Sequence, residues 1–441
     1  MQFLDFSPPT SPTLGQQVDA LQKGLGRAVQ WAQAGCLADE PLLDACLHDK
    51  RFDMLFEDNR GEWLWNIINA VGAVTRFREP ILVALRSVTI ERDAYQLCEL
   101  ALHYATTGDR EFEAQLYKFV EQRPFAEHYP SIGEGQLFEL GGEEALLFIA
   151  RIRGMLLNGR NWEWDDSAIT DRAIEKFGVE RVSTLLNDST DPAINRFEAA
   201  WRQSMNQPSE SQPQSYVERM RAISAAEIIK AAETKDRRYP GWGNCADESD
   251  LDMVLNYLWI VREPKVIANL LKVFSNRPLA HFDTRLLELC RHGNDDVQRE
   301  ALNVLEQNTH PLIRDFALKE LQERTLNRSV VGLFAANFMD GDEQRLLDLV
   351  ELPEDAWERH GVLIELLHVL EENPNADSSQ LGLIIYFQTP CELCRLRAVE
   401  QLREDGVVPE WLIRECRNDS GEDCRALVAE ESAEQGGQCT N

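Results

Sequence analysis

An all-α chain of antiparallel helix pairs is what this sequence predicts, on three observations. Apolar residues recur at the helical spacing of three and four almost everywhere. Strand signals are nearly absent, with no run of alternating β-branched residues and no Asn-Gly hairpin. Turn residues interrupt the pattern roughly every 12–20 residues, and short turns between short helices make antiparallel neighbours.

Residues 1–202 read as an N-terminal helical region. Met1 to Leu14 has no basic segment and is broken by Pro8, Pro9 and Pro12, so it is not read as a targeting segment. The best apolar run, Ala145 to Ile152, ends in charge and falls short of the roughly 18–20 residues of a membrane span, so no membrane association is expected. Residues 203–250 read as a linker and irregular insertion. Gln203 to Ser215 is rich in Ser, Gln and Pro, with Met205 its one large apolar residue. Lys235 to Asp250 holds Arg237, Arg238, Tyr239, Pro240, Gly241, Trp242 and Gly243. Residues 251–441 read as a more regular helical region. Val297, Ala301, Leu302 and Leu305 form one stripe, Ile313, Phe316, Ala317 and Leu321 the next, and Val362, Leu363, Leu366, Leu367 and Leu370 a third.

Several segments share a grammar: a turn with Asp or Pro, an apolar residue, an Arg, then an Ala-led apolar stripe. Asn294 to Leu302 is the clearest and His310 to Leu318 the next. Asp191 to Ala200, Pro390 to Leu402 and Gly421 to Val428 repeat it. This resembles the HEAT-repeat class, which implies an irregular α-solenoid of HEAT-like antiparallel helix pairs. The small Ala admits close helix approach, and the Arg reaches a carboxylate of its own or a neighbouring turn. The spacing is uneven: Ala301 and Ala317 are 16 positions apart, Ala398 and Ala426 are 28 apart. The resemblance concerns fold only.

Acidic side chains outnumber basic ones 75 to 45, for a net charge of -30. That field repels nucleic acid and anionic membranes and attracts basic surfaces. Ten cysteines in 441 residues are too sparse for a disulfide scaffold and read as reduced thiols of a cytoplasmic protein. Cys391-Glu392-Leu393-Cys394 is a CxxC, and Cys416 and Cys424 follow. Yet Cys391, Cys394, Ala398 and Leu402 fall along one apolar helix face, so they read as small buried hydrophobes, with zinc or redox chemistry the minority reading. The eight histidines form no HxxxH or HExxH pair, and no GxSxG or phosphate-binding glycine motif appears, so no metal, cofactor or catalytic residue is expected. Trp162-Glu163-Trp164-Asp165-Asp166 suits a cation or a flipped base, but reads more simply as capping and core packing.

Two segments are candidate partner-binding surfaces. Arg237, Arg238 and Trp242 can grip an anion or anchor an interface, against the plainer reading of a Trp tucked onto its own helices. Asp340 to Asp377 holds twelve acidic residues and two basic ones, within which Glu351, Glu354, Asp355 and Glu358 are expected to line a surface for a basic protein. The expected function is therefore a non-catalytic scaffold or inhibitor. It would engage a basic macromolecule, such as a toxin or nuclease neutralised by an immunity-type partner, without contacting nucleic acid directly. The alternative is a solenoid enzyme acting on a nucleobase or small cofactor, of the HEAT-like DNA glycosylase or lyase type.

Overall fold

The computed structural model describes residues 6–54, 56–125, 131–157, 168–205, 216–234, 239–323 and 330–437, and the side chains among these as far as residue 429. Among them are 25 α-helices, two short 3₁₀ segments and no strand. No described helix is long and apolar enough to cross a membrane. The fold is all-α.

The chain divides into two compact units. One takes Phe6 and residues within 210–409; the other takes residues within 7–209 and 410–441. The break at 209 and 210 falls inside the Ser/Gln/Pro-rich stretch, whose residues 206–215 lie outside the described residues. The assignment of residues 410–437 to the unit of the first helices has no signal in the sequence.

In that unit the Glu91–Thr106 helix is central. Ala94, Leu97, Cys98, Ala101, Tyr104 and Ala105 repeat at helical spacing and are buried. They pack against the Gly61–Ala70, Val74–Ser87, Arg110–Gln122 and Glu134–Leu156 helices. Each fully buried Leu or Phe here contributes about 1.5–3 kcal/mol. The Tyr104 hydroxyl donates to Val74 O at 2.9 Å, so its burial strands no polar atom. Residues 410–429 close the unit. Arg27 makes a two-pronged ion pair with Glu415, at 2.7 Å on each prong, and both side chains are buried. Trp63 Nε1 donates to Asn418 O, and Ser420 N to Gly24 O. A Cβ on Gly26 would lie 1.9 Å from Glu415 O, so only glycine allows this approach.

In the other unit the helical stripes form as expected. Asn294 caps the Asp295–Glu306 helix by accepting Val297 N–H at 3.1 Å, and Val297, Ala301, Leu302 and Leu305 are buried. Pro311–Glu323 buries Ile313, Phe316, Ala317 and Leu321. The arginines of the shared grammar behave in two ways. Arg299 pairs with Asp296 of its own turn at 2.7 Å. Arg314 reaches Asp342, at 2.9 and 2.6 Å.

A series of asparagines stitches successive helices together. Asn308 Oδ1 accepts Leu279 N–H, Asn337 Nδ2 donates to Asn308 O, Asn337 Oδ1 accepts His310 N–H, and Asn373 Nδ2 donates to Ala335 O, all between 2.8 and 3.0 Å.

Within the stretch read as a linker and irregular insertion, 203–250, the described residues from 216 onward are helical where irregular structure was expected. Tyr216–Arg221, Ala225–Thr234, Tyr239–Gly243 and Glu248–Leu258 are helices with Met220, Ile228, Ala232, Tyr239, Trp242 and Leu251 buried. Trp242 is 1% exposed, and its indole N–H donates to Ile223 O at 2.8 Å. It is a core residue, not an interface anchor: its large apolar area and its single donor are both satisfied inside the unit.

Candidate functional site

Two groups of candidate side chains meet at the Ala356–Glu372 helix, one on the surface around its start and one beneath it. Asp355 caps it, accepting the N–H groups of Trp357 and Glu358 at 2.9 Å each. Glu351, Glu354, Asp355 and Glu358 are all exposed, and Trp357 among them is 60% exposed. The four carboxylates expected to share a surface are thus close along the chain and all solvent-facing, joined by an indole the sequence reading passed over. A shallow groove beside Glu351 is lined by Phe6, Asp348, Val350, Leu352, Ile384 and Gln388.

The acidic excess of Asp340 to Asp377 is smaller at the surface than a residue count implies. Asp342 is fully buried and held by Arg314 and Arg345, the latter at 2.5 Å. Glu371 is spanned by the Arg397 guanidinium at 2.8 and 2.6 Å. Asp377 caps the Ser378–Gln388 helix through Ser379 N–H. Arg237 and Arg238, and the cluster from Trp162 to Asp166, lie outside the described residues.

Beneath the surface the same helix presents His360 to the CxxC. Thr389 ends the Ser378–Gln388 helix, Pro390 follows, and Cys391 stands at the N-cap of the Glu392–Glu404 helix, where its backbone N–H donates to Thr389 Oγ1 at 3.2 Å. Cys394 lies one turn into that helix. His360 Nε2 is 3.3 Å from Cys394 Sγ, and His360, Cys391 and Cys394 bring one donor atom each to within 4.8 Å of one another. Cys391 is 6% and Cys394 3% exposed, while His360 is half-buried. The Cys391 thiol is held well below the usual thiol range, chiefly because Cys394 donates a hydrogen bond to it, with His360 adding to the effect against burial. Cys394 is pushed up by that same bond and by burial.

Ala398 and Leu402 are buried on the same helix, so the apolar face read from the sequence exists. No sequence spacing reports that His360, 34 positions before Cys394, is folded against the first turn of this helix. Cys416 and Cys424 belong to the other unit and take no part.

No protein-family model, characterised protein or solved structure matches the chain.

Proposed function

We propose that the chain is a non-catalytic binding module of HEAT-like construction, which receives a basic protein on the face carried by Glu351, Glu354, Asp355 and Glu358. The observation that carries this reading is Trp357, 60% exposed among those four exposed carboxylates. A large aromatic is costly to leave in water, and Trp is the residue type most enriched among interface hot spots. Carboxylates around it supply complementary charge that raises association rates by roughly ten- to a thousandfold at low salt. The partner class with such a surface includes nucleic-acid-directed toxins and nucleases, which an acidic inhibitor of the immunity type would neutralise.

The test is partner capture at low and high salt with charge-reversed protein. Asp355 is a helix cap, so it is changed to Asn, which retains the capping oxygen, while Glu351, Glu354 and Glu358 become Lys. Association is expected to slow at least about tenfold at low salt, with the defect shrinking as salt screens it. Trp357→Ala is expected to speed dissociation at both salts. Capture that is indifferent to all of these changes overturns the reading.

A further inference from the structure

We propose that Cys391, Cys394 and His360 bind a zinc ion, with two thiolates and one imidazole as ligands and the fourth position open to water or an incoming group. This site is independent of the binding reading above, because it requires no partner.

Donor type, geometry and burial all point to zinc. Two sulfurs and an imidazole nitrogen are the soft-to-borderline donors that zinc prefers. Bond lengths of about 2.3 Å to sulfur and 2.0 Å to nitrogen place tetrahedral ligand atoms roughly 3.5–3.8 Å apart. The 3.3 Å separation of His360 Nε2 from Cys394 Sγ, and the confinement of all three donors within 4.8 Å, lie close to that arrangement. No fourth His, Cys, Asp or Glu is grouped with them among the described residues.

A dithiol–disulfide couple is the competing use of a CxxC at a helix N-terminus. Two observations favour the metal. The His360 imidazole nitrogen stands 3.3 Å from the second sulfur, which supplies the third donor that a metal ion needs. Both cysteines are also buried, at 6% and 3% residue exposure, which keeps a protein dithiol from reaching their sulfurs.

Charge fits as well. Two thiolates and a divalent ion sum to zero, so the buried site carries no net charge. The nearby Arg397 guanidinium is already occupied by Glu371 and leaves the thiolates to the metal. The chain positions suit a clamp: the ion would tie the Ala356–Glu372 helix to the Glu392–Glu404 helix across the whole of the Ser378–Gln388 helix between them.

The full-length protein is reduced, stripped with a chelator and titrated with Zn2+ or Co2+ alone. One equivalent of Zn2+ per chain is expected to bind and to raise the melting temperature. Co2+ is expected to give the sulfur-to-metal charge-transfer band and the intense visible bands of a tetrahedral thiolate site. Cys391→Ser combined with Cys394→Ser is expected to abolish both signals. His360→Ala is expected to weaken Zn2+ at least about tenfold. Cys36→Ser, at a thiol outside the three-donor group, is expected to change nothing. The Co2+ spectrum of the unmutated protein decides the matter even if a variant misfolds. Failure of the reduced protein to bind either ion, or equal binding by the double-serine variant, overturns the proposal. An isolated protein holding a Cys391–Cys394 disulfide and no metal affinity after reduction assigns the pair to redox chemistry instead.

Discussion

Asp342 and Glu306 show how burial sorts carboxylates that a residue count treats alike. Burial works to raise the Asp342 carboxyl, but hydrogen bonds from Arg314 and Arg345 and the Met339 N–H overcome it and hold the group below its ordinary value. Its stabilisation is therefore full above the ordinary carboxylate range and is lost as pH falls through the lowered folded value. Asp342→Asn leaves the largely buried Arg314 guanidinium without its carboxylate, while the half-exposed Arg345 turns to water, and is expected to cost about 2–3 kcal/mol in urea unfolding. Glu306 is the opposite case. Burial, and secondarily the charge of Glu365, push its carboxyl up to about 8. The unfolded chain releases that proton in the ordinary range while the folded chain keeps it, so stability is full at acid pH and declines as pH rises towards and through about 8. Glu306→Gln is expected to flatten this decline between the ordinary carboxylate range and about 8, read as urea midpoints across pH. Neither role was legible in the sequence, where Asp342 counts as one more surface acid. The candidate zinc site was half legible: CxxC is a local motif, but His360 joins it through tertiary packing, and no spacing rule reports a contact between separate helices.

Helices were the most legible feature, because a stripe such as Val297, Ala301, Leu302 and Leu305 records its own buried face. Where polar atoms decide, the sequence was quieter. The irregular look of 235–250 concealed Tyr239 and Trp242, whose rings are core and whose neighbours Pro240 and Gly241 suggest a loop. The asparagines that join one helix to the next gave no signal either, since an Asn after a helix reads as an ordinary turn residue. Asn337 is 7% exposed and bonds Asn308 O, Leu333 O and His310 N–H. Asn337→Ala leaves those groups unpaired and is expected to cost about 2–3 kcal/mol. Hydrogen exchange should quicken first at the His310 amide; an unchanged His310 rate would mean that the amide is protected by something other than Asn337.

At the scale of the molecule, the grammar at Gly421 to Val428 reads as one more repeat following Pro390 to Leu402. The structure places it in the other unit, because a local motif states that a helix packs and not against what. Removing residues 410–441 would uncover the buried Arg27 guanidinium and free the Trp63 indole N–H from Asn418 O. The truncated protein is expected to lose the cooperative unfolding of the 7–209 unit while the unit within 210–409 keeps its own transition. Two-step calorimetric unfolding that becomes one-step on truncation is the measurement, and retention of both steps would show residues 410–441 to be dispensable to the first unit.

The Arg27–Glu415 pair also sets a clock on synthesis. The two residues are 388 positions apart. At about 5–20 residues per second a ribosome needs roughly 20–80 s to deliver the carboxylate after the guanidinium has emerged. For that interval the earliest helices wait, unfinished, while every residue of the 210–409 unit is translated ahead of Glu415. The nascent chain thus completes its middle before its beginning, and the stretch around Gly26 and Trp63 is the part most exposed to chaperones and proteases until the last of its own unit arrives.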